Sequence, residues 1–445
     1  MKGEITLSSP HDVNRRQFLK QAAVAAVGAA GLPLFIPARA LGRDGNTPPS
    51  DRITIGCIGV GGMGTGNMNS FLGKRDARIV AVCDVDSAHS KSALEAVNAK
   101  YGSKDCAEYE DFRELIARPG LDAVSIAVPD HWHAIIAVAA VAAGLDIYGE
   151  KPLGYTISEG RAIVDAVKRY ARVWQTGSWQ RSQRHFRYGC ELVRNGRIGK
   201  VHTVRVGLPN GNSIADNGGY QSMNPPAGFN YEMWLGPAPW APYCPNRCHW
   251  NFRWISDYSG GQLTDWAGHH CDIAQWGMNT ELSAPIEIEG KAVFPPAKDG
   301  LFDTAENYRF EAKYREGFTM IVADRTQQPL GMGVQFEGEN GWVYVDRSGI
   351  DASPKSLLTS VIGPDEVHLY VSDDHHQNFL DCVRSRALTV TPVEVAHHSI
   401  MVGHLGLIAM KLGRKVLWDP VKERFVNDPA ADSYLSRPMR GAWHV

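Results

Sequence analysis

One stretch constrains the chain more than any other. Ile53 to Asp84 reads as a strand, a glycine turn, a helix and a second strand. Ile53, Ile55, Cys57 and Ile58 make an apolar, β-branched run suited to a buried parallel strand. Gly59-Val60-Gly61-Gly62-Met63-Gly64 follows with G-x-G-x-x-G spacing. The first glycine permits a tight turn, the second lets backbone approach a pyrophosphate, and the third lets helix pack close on strand. Thr65 to Leu72 is then a helix whose N-terminal amides face phosphate, with Gly62 and Met63 at its mouth. Ile79 to Cys83 is the second strand, and it ends at Asp84, where a carboxylate accepts the ribose hydroxyls of NAD and repels the 2′-phosphate of NADP. A lone glycine motif is weak evidence; strand before, helix after and acid at this distance make it specific.

Farther on, strands alternate with helices. Ala123 to Val128 ends at Pro129-Asp130-His131-Trp132-His133, and Leu145 to Tyr148 ends at Glu150-Lys151-Pro152. That alternation implies a doubly wound parallel sheet over residues 51–177, with ligands bound off the carboxyl ends of its strands. Gly59 to Gly64, Asp84, Pro129, His133, Glu150 and Lys151 therefore converge on one crevice. Past Gly177 the texture changes: alternating segments between 286 and 345 suit antiparallel strands with one face covered, closed by helices over 375–384 and 399–412. The fold class is α/β, a Rossmann domain followed over 178–445 by an α+β domain with an open, mostly antiparallel sheet.

The first 40 residues read as a targeting segment. Asn14-Arg15-Arg16-Gln17-Phe18-Leu19-Lys20, a mild apolar run from Ala22 to Ile36, and Ala38-Arg39-Ala40 form a charged region, a hydrophobic region and an A-x-A cleavage signature. The apolar run is shorter than the about 20 residues a bilayer span needs. The paired arginines resemble a twin-arginine signal, an export route that carries folded proteins. A periplasmic location is the expectation, with a tightly held cofactor loaded before export and residues 41–50 as a linker. A net charge of −2 gives no reason to expect nucleic acid as a partner. Cys244 and Cys248 are either two free thiols in a loop or, in an oxidising compartment, a disulfide.

The second informative stretch runs from Ser259 to Asp272. Its glycines bring the chain in tightly before a helix over Leu263 to Met278, on which Asp265 and His269 are four residues apart and share a face. An acid beside an imidazole sets its tautomer and suits it to accept a hydroxyl proton. His270 and Asp272 lie on other faces, directed to packing or to the nucleotide. Adjacent helical residues diverge by about 100°, so the His-His-x-Asp string is not expected to hold a metal. Lys151, at a strand end facing the crevice, can hold a substrate hydroxyl. The pairs His375-His376 and His397-His398 are expected to be structural.

The glycine motif, Glu150-Lys151-Pro152 and Asp265-x-x-x-His269, in this order, resemble the Gfo/Idh/MocA oxidoreductase family from Ile53 to the C-terminus. The resemblance implies Lys151, Asp265 and His269 as catalytic residues, Pro129 near the nicotinamide with His133 nearby, and a sheet that often buries its outer face in a homodimer or homotetramer. It implies hydride transfer between a sugar or cyclitol and NAD. Aromatic platforms with charged neighbours suit carbohydrate, so Arg181, His270 and tryptophans of the 234–254 loop, Trp234 and Trp254 among them, are expected on the substrate. Two rivals remain: an NAD-dependent glycosidase or lyase that oxidises only transiently, and a non-catalytic sugar-binding protein on the same fold.

Overall fold

The structure, a computed structural model, describes residues 48–295 and 301–445. The charged and apolar segment ending at Ala40, with its expected export signal, lies outside the described residues, as does most of the expected linker. Ile53 to Val445 forms one compact unit.

Six parallel strands make the first sheet: β1 (Ile53–Ile58), β2 (Ala77–Cys83), β3 (Ala107–Tyr109), β4 (Ala123–Ile126), β5 (Asp146–Gly149) and β6 (Trp174–Thr176), in the order β3-β2-β1-β4-β5-β6. Strands β1, β4 and β5 have almost no solvent-facing side, which is why they read as apolar runs without alternation. The connections carry α1 (Gly62–Leu72), α2 (Ser87–Tyr101), α3 (Phe112–Ile116), α4 (His133–Ala142) and α5 (Ile157–Arg169). The order reverses between β1 and β4, and that switch point opens the crevice the sequence places there.

The second sheet has nine strands. β7 (Val201–Leu208) follows α6 (Arg184–Arg194), and α7 (Tyr231–Leu235) and α8 (Gly261–Met278) come next. Then come β8 (Glu287–Val293), β9 (Glu306–Lys313), β10 (Thr319–Asp324), β11 (Gly333–Gly338), β12 (Gly341–Asp346) and β13 (Gly349–Ser353). Helices α9 (His375–Ser385) and α10 (Val393–Leu412), β14 (Val416–Asp419), β15 (Arg424–Phe425) and α11 (Pro429–Asp432) end the chain. The order is β13-β12-β11-β7-β10-β9-β8-β14-β15, antiparallel throughout except where β7 and β10 run parallel. Helix α10 lies against α8, β8 and β9, and its apolar length is buried among them. It begins at Val393 rather than Ser399, with Pro392 preceding its first residue. The short strands β3, β13 and β14 carry too few residues to show a period.

Candidate active site

The glycine turn has the geometry its spacing requires. Gly59 sits at φ +78°, and a Cβ there would lie 2.4 Å from the Ala127 carbonyl oxygen; at Gly64 it would lie 1.9 Å from the Gly59 oxygen. No side chain caps the start of α1 at Gly61, so its first amides point into the crevice without an internal partner. Asp84 lies at the β2 end: one carboxylate oxygen accepts from Val60 N–H and the other from Asp86 N–H, each at 2.9 Å.

A cavity of about 520 Å³ runs from this turn to the ends of β4 and β5. Its wall includes Gly59, Gly61, Gly62, Met63 and Asp84 at one end, and Pro129, Glu150, Lys151 and Asp265 at the other. Phe229, Trp234, Trp250, Phe252 and Arg253 of the long connection after β7 close one side. Open helix amides, glycines with no room for a Cβ, a carboxylate on the wall at the β2 end and this volume together fit a dinucleotide. At the Asp84 end, ligand atoms of Asp86, His89 and His249 lie within 4.8 Å of one another. Asp86 already accepts from Ala88 N–H at 2.9 Å as the cap of α2, and all three residues line the cavity, so they are read as its wall rather than as a metal centre.

At the other end, Lys151 Nζ donates to Asp265 Oδ1 at 2.7 Å, and Arg253 Nε stands 3.7 Å from the same oxygen. Gly268 makes this approach possible, since a Cβ there would already be 3.2 Å from that of Lys151. Burial pushes the Asp265 carboxyl up, but Lys151 and Arg253 outweigh it and hold the group below the ordinary range. His269, one turn on, is 4% exposed, and its Nδ1 is buried with no hydrogen-bond partner. Burial, with Lys151 and Arg347 adding to it, holds its pKa well below the ordinary value, so the ring is neutral. Its ring meets Trp179 and Trp266, with centroids 6.5 and 5.4 Å away. The Arg347 guanidinium lies over the same two indoles, 4.5 and 4.3 Å from their centroids. Asp130, 3% exposed and bonded to Ser259, is pushed up by burial. Glu150 is pushed up by the same cause and accepts from Asn67 at 2.9 Å.

Several expectations need correction. The Asp265 carboxylate turns to Lys151 and makes no hydrogen bond to His269, so it does not set that tautomer. Arg181 does not face a ligand: it is 3% exposed, bidentate to Asp272 at 2.7 and 2.8 Å, and bonded to Glu281 at 2.5 Å. His270 is fully buried, its Nδ1 against the Gly207 carbonyl oxygen at 2.8 Å, and burial pushes it down to about 4. Trp254 is 1% exposed and packs in the loop's own core, outside the cavity wall. Trp234 does reach the wall, stacked on Tyr231. His133 sits behind the wall with its ring nitrogens on the Pro152 and Val128 carbonyl oxygens, at 2.6 and 2.8 Å. Cys244 and Cys248 are buried free thiols. The residues sequence reasoning missed are Trp179, Arg253, Trp266 and Arg347; only the clustering of aromatics around Arg253 gave any signal.

The NAD-binding Rossmann-fold model of the Gfo/Idh/MocA oxidoreductase family matches residues 53–178, and the family's C-terminal alpha/beta domain model matches 192–445. The uncharacterized oxidoreductase YrbE of Bacillus subtilis is 27% identical over 302 residues, 67% of this chain and 74% of that protein. Myo-inositol 2-dehydrogenase of Thermotoga maritima is 30% identical over 152 residues, 34% of this chain and 44% of the other. A glycosyl hydrolase family 109 protein of Shewanella pealeana is 31% identical over 172 residues, and the chain spans only 37% of that protein's length. Among solved structures, an aldose-aldose oxidoreductase from Caulobacter crescentus, complexed with glycerol, shares the fold at a TM-score of 0.60 and 18% identity, covering 82% of this chain and 99% of that one. The Bordetella pertussis WlbA dehydrogenase, with NADH and UDP-GlcNAcA, does so at 0.60 and 15%, covering 83% and 99%. With both domain models matched in tandem across the compact unit, the chain belongs to the Gfo/Idh/MocA family of NAD-binding oxidoreductases.

Proposed function

We propose that the protein moves a hydride between a hydroxyl-bearing carbon of a sugar or cyclitol and NAD, with Lys151, Asp265 and His269 as its reactive residues. The observation that carries this reading is the Lys151–Asp265 pair, hydrogen-bonded at 2.7 Å on the wall of the cavity that begins at the glycine turn, with His269 one helical turn beyond Asp265. Bound nicotinamide supplies the hydride acceptor. His269 takes the hydroxyl proton, for which a neutral ring is required. Lys151 donates to the same oxygen as negative charge develops on it, and Asp265 fixes the ammonium for that task. Asp84 favours NAD over NADP, its carboxylate standing where a 2′-phosphate would be repelled.

A second reading, redox-neutral cleavage of a glycoside, is favoured by the likeness to the family 109 glycosyl hydrolase. There the same proton transfer at His269 would precede elimination, and no reduced nicotinamide would accumulate. Export by the twin-arginine route, with retained cofactor, and a homodimer or homotetramer complete the proposal.

The test is to denature the purified protein, identify any released nucleotide, and titrate intact holoprotein with sugars while following reduced-nicotinamide absorbance. Released NAD with lasting reduction by a sugar supports the dehydrogenase. Released NAD and glycoside cleavage without lasting reduction supports the second reading. No bound nucleotide, and none taken up, overturns both.

A further inference from the structure

Two arginines stand near Asp265: Arg253 lines the cavity and shares that carboxylate with Lys151, and Arg347, outside the cavity wall, is close enough for its charge to act on Asp265 and His269. Arg253 lies against Trp250 and Phe252, its guanidinium carbon 4.5 and 4.7 Å from their ring centroids. Apart from a contact of one nitrogen with the Trp250 carbonyl oxygen at 3.2 Å, its acidic neighbour is Asp265 at 3.7 Å, an oxygen already bonded to Lys151. Arg347 has no carboxylate within ion-pair distance among the described residues, and it is exposed although its guanidinium lies over two indole rings. Its position is fixed by the β12–β13 turn, in which Asp346 accepts from Ser348 N–H at 2.8 Å and Gly349 N–H at 3.1 Å. The other acids nearby do not serve these cations: Asp130 turns to Ser259 and Glu150 to Asn67. Arg181, a few residues from Trp179, shows the contrasting case of a guanidinium saturated by two carboxylates. Aromatic clamping fixes a guanidinium plane while leaving its N–H edge free, the arrangement that recognises carboxylate or phosphate in a bidentate way.

We propose that the substrate sugar carries an anionic group, a carboxylate or a phosphate, and that Arg253 and Arg347 bind this group while the reacting carbinol faces Lys151 and His269. The proposal rests on the sugar-oxidoreductase reading for the identity of the carbinol, but the anion site itself does not depend on redox chemistry. Trp179 and Trp266 would then serve twice, packing against His269 and stiffening Arg347.

The test is calorimetric titration of NAD-loaded protein with glucuronate, glucose 6-phosphate and glucose, for the wild type, Arg347→Gln, Arg253→Gln and Arg347→Lys. At least one anionic sugar is expected to bind about tenfold or more tightly than glucose, with a preference that falls as salt rises. Each glutamine variant should shrink that preference by about tenfold to a hundredfold, and Arg347→Lys should restore part of it. Tighter glucuronate assigns a carboxylate; tighter glucose 6-phosphate assigns a phosphate. Glucose binding as tightly as both anions, no measurable anion binding, or glutamine variants that weaken all three ligands alike would overturn the proposal. Following nicotinamide absorbance in the same titrations separates the two readings: arginine-dependent anion binding with no reduction removes the dehydrogenase and keeps the anion site. Reduction by glucose without arginine dependence does the reverse.

Discussion

Lys151 Nζ and Asp265 Oδ1 stand 2.7 Å apart, a single hydrogen bond that ties the end of β5 to the second turn of α8. Because Asp265 is the carboxylate nearest both Lys151 and Arg253, removing its charge disorders both cations at once. Asp265→Asn is therefore expected to lower kcat by about 10²- to 10⁴-fold, the range for losing positioned proton-transfer chemistry. Bound nucleotide should be retained, because Asp265 lies at the far end of the cavity from the glycine turn. Single-turnover reduction of holoprotein measures this, and a variant turning over at the wild-type rate would remove Asp265 from the mechanism.

Asp84 accepts from two backbone amides while facing the cavity. Its replacement by serine should weaken NAD by about tenfold or more, since hydrogen bonds to a charged group contribute about 1.5–3 kcal/mol each. The same change should narrow the NAD-to-NADP ratio by removing the repelling charge. Titrations of nucleotide-free protein with each cofactor decide it, and an unchanged ratio would count against Asp84 as the selector.

Two neighbouring glycines give opposite expectations. A Cβ at Gly64 would meet the Gly59 carbonyl oxygen at 1.9 Å, a clash with backbone, whereas one at Gly62 meets nothing within 4 Å. Gly64→Ala should lose about 3 kcal/mol or more, overpacking with no side chain to move aside. Gly62→Ala should be neutral or gain up to about 1 kcal/mol from helix propensity. Urea midpoints of the two variants provide the comparison.

How much of this was legible in the sequence depended on whether the partners were close along the chain. The glycine turn, Asp84 and the strand ends carrying Pro129 and Lys151 are local signals within one repeating strand-helix pattern, and they line one cavity. Spacing on α8 likewise told that Asp265 and His269 share a face. It could not tell that the carboxylate reaches across to residue 151, because a helical period reports neighbours within the helix and not what faces it. Arg347 was invisible for the same reason: its clamp joins residues 179, 266 and 347 from three separate elements.

Stability should fall with acidity in a definite window. His270 and His404 are pushed down to about 4, and His131 and His375 to about 3, all by burial first. Unfolded, each titrates near 6.5, so between about 6.5 and 4 the unfolded chain binds protons that the native chain refuses. Their contribution is complete above about 6.5 and is lost as pH falls, to about 4 for His270 and His404 and to about 3 for His131 and His375, at up to about 1.4 kcal/mol per pH unit for each ring. The acids held low by partners, Glu394 and Glu423 at about 2, add their loss only below the ordinary carboxylate range. Denaturant melts at pH 7, 6 and 5 should show a steady decline; a flat profile would mean the rings gain protons without unfolding.

Arg181 is the residue for which sequence and structure give different experiments. Read as a substrate ligand, its loss would raise KM and leave stability nearly untouched. Buried against Asp272 and Glu281, with Trp276 under its guanidinium at 4.8 Å, it belongs to the core beneath α8. Arg181→Met would leave Asp272, 2% exposed, with only the Ser399 hydroxyl at 2.7 Å as its side-chain donor. A buried charge stripped of its partner costs about 3–5 kcal/mol, so a large drop in the unfolding midpoint is expected, with KM unchanged in whatever protein remains folded. The double variant Arg181→Met with Asp272→Leu should recover much of that loss, because no unpaired charge is then left inside. Recovery in the double variant separates a broken ion pair from a merely overfilled site, and a KM effect without a stability effect would restore Arg181 to the substrate.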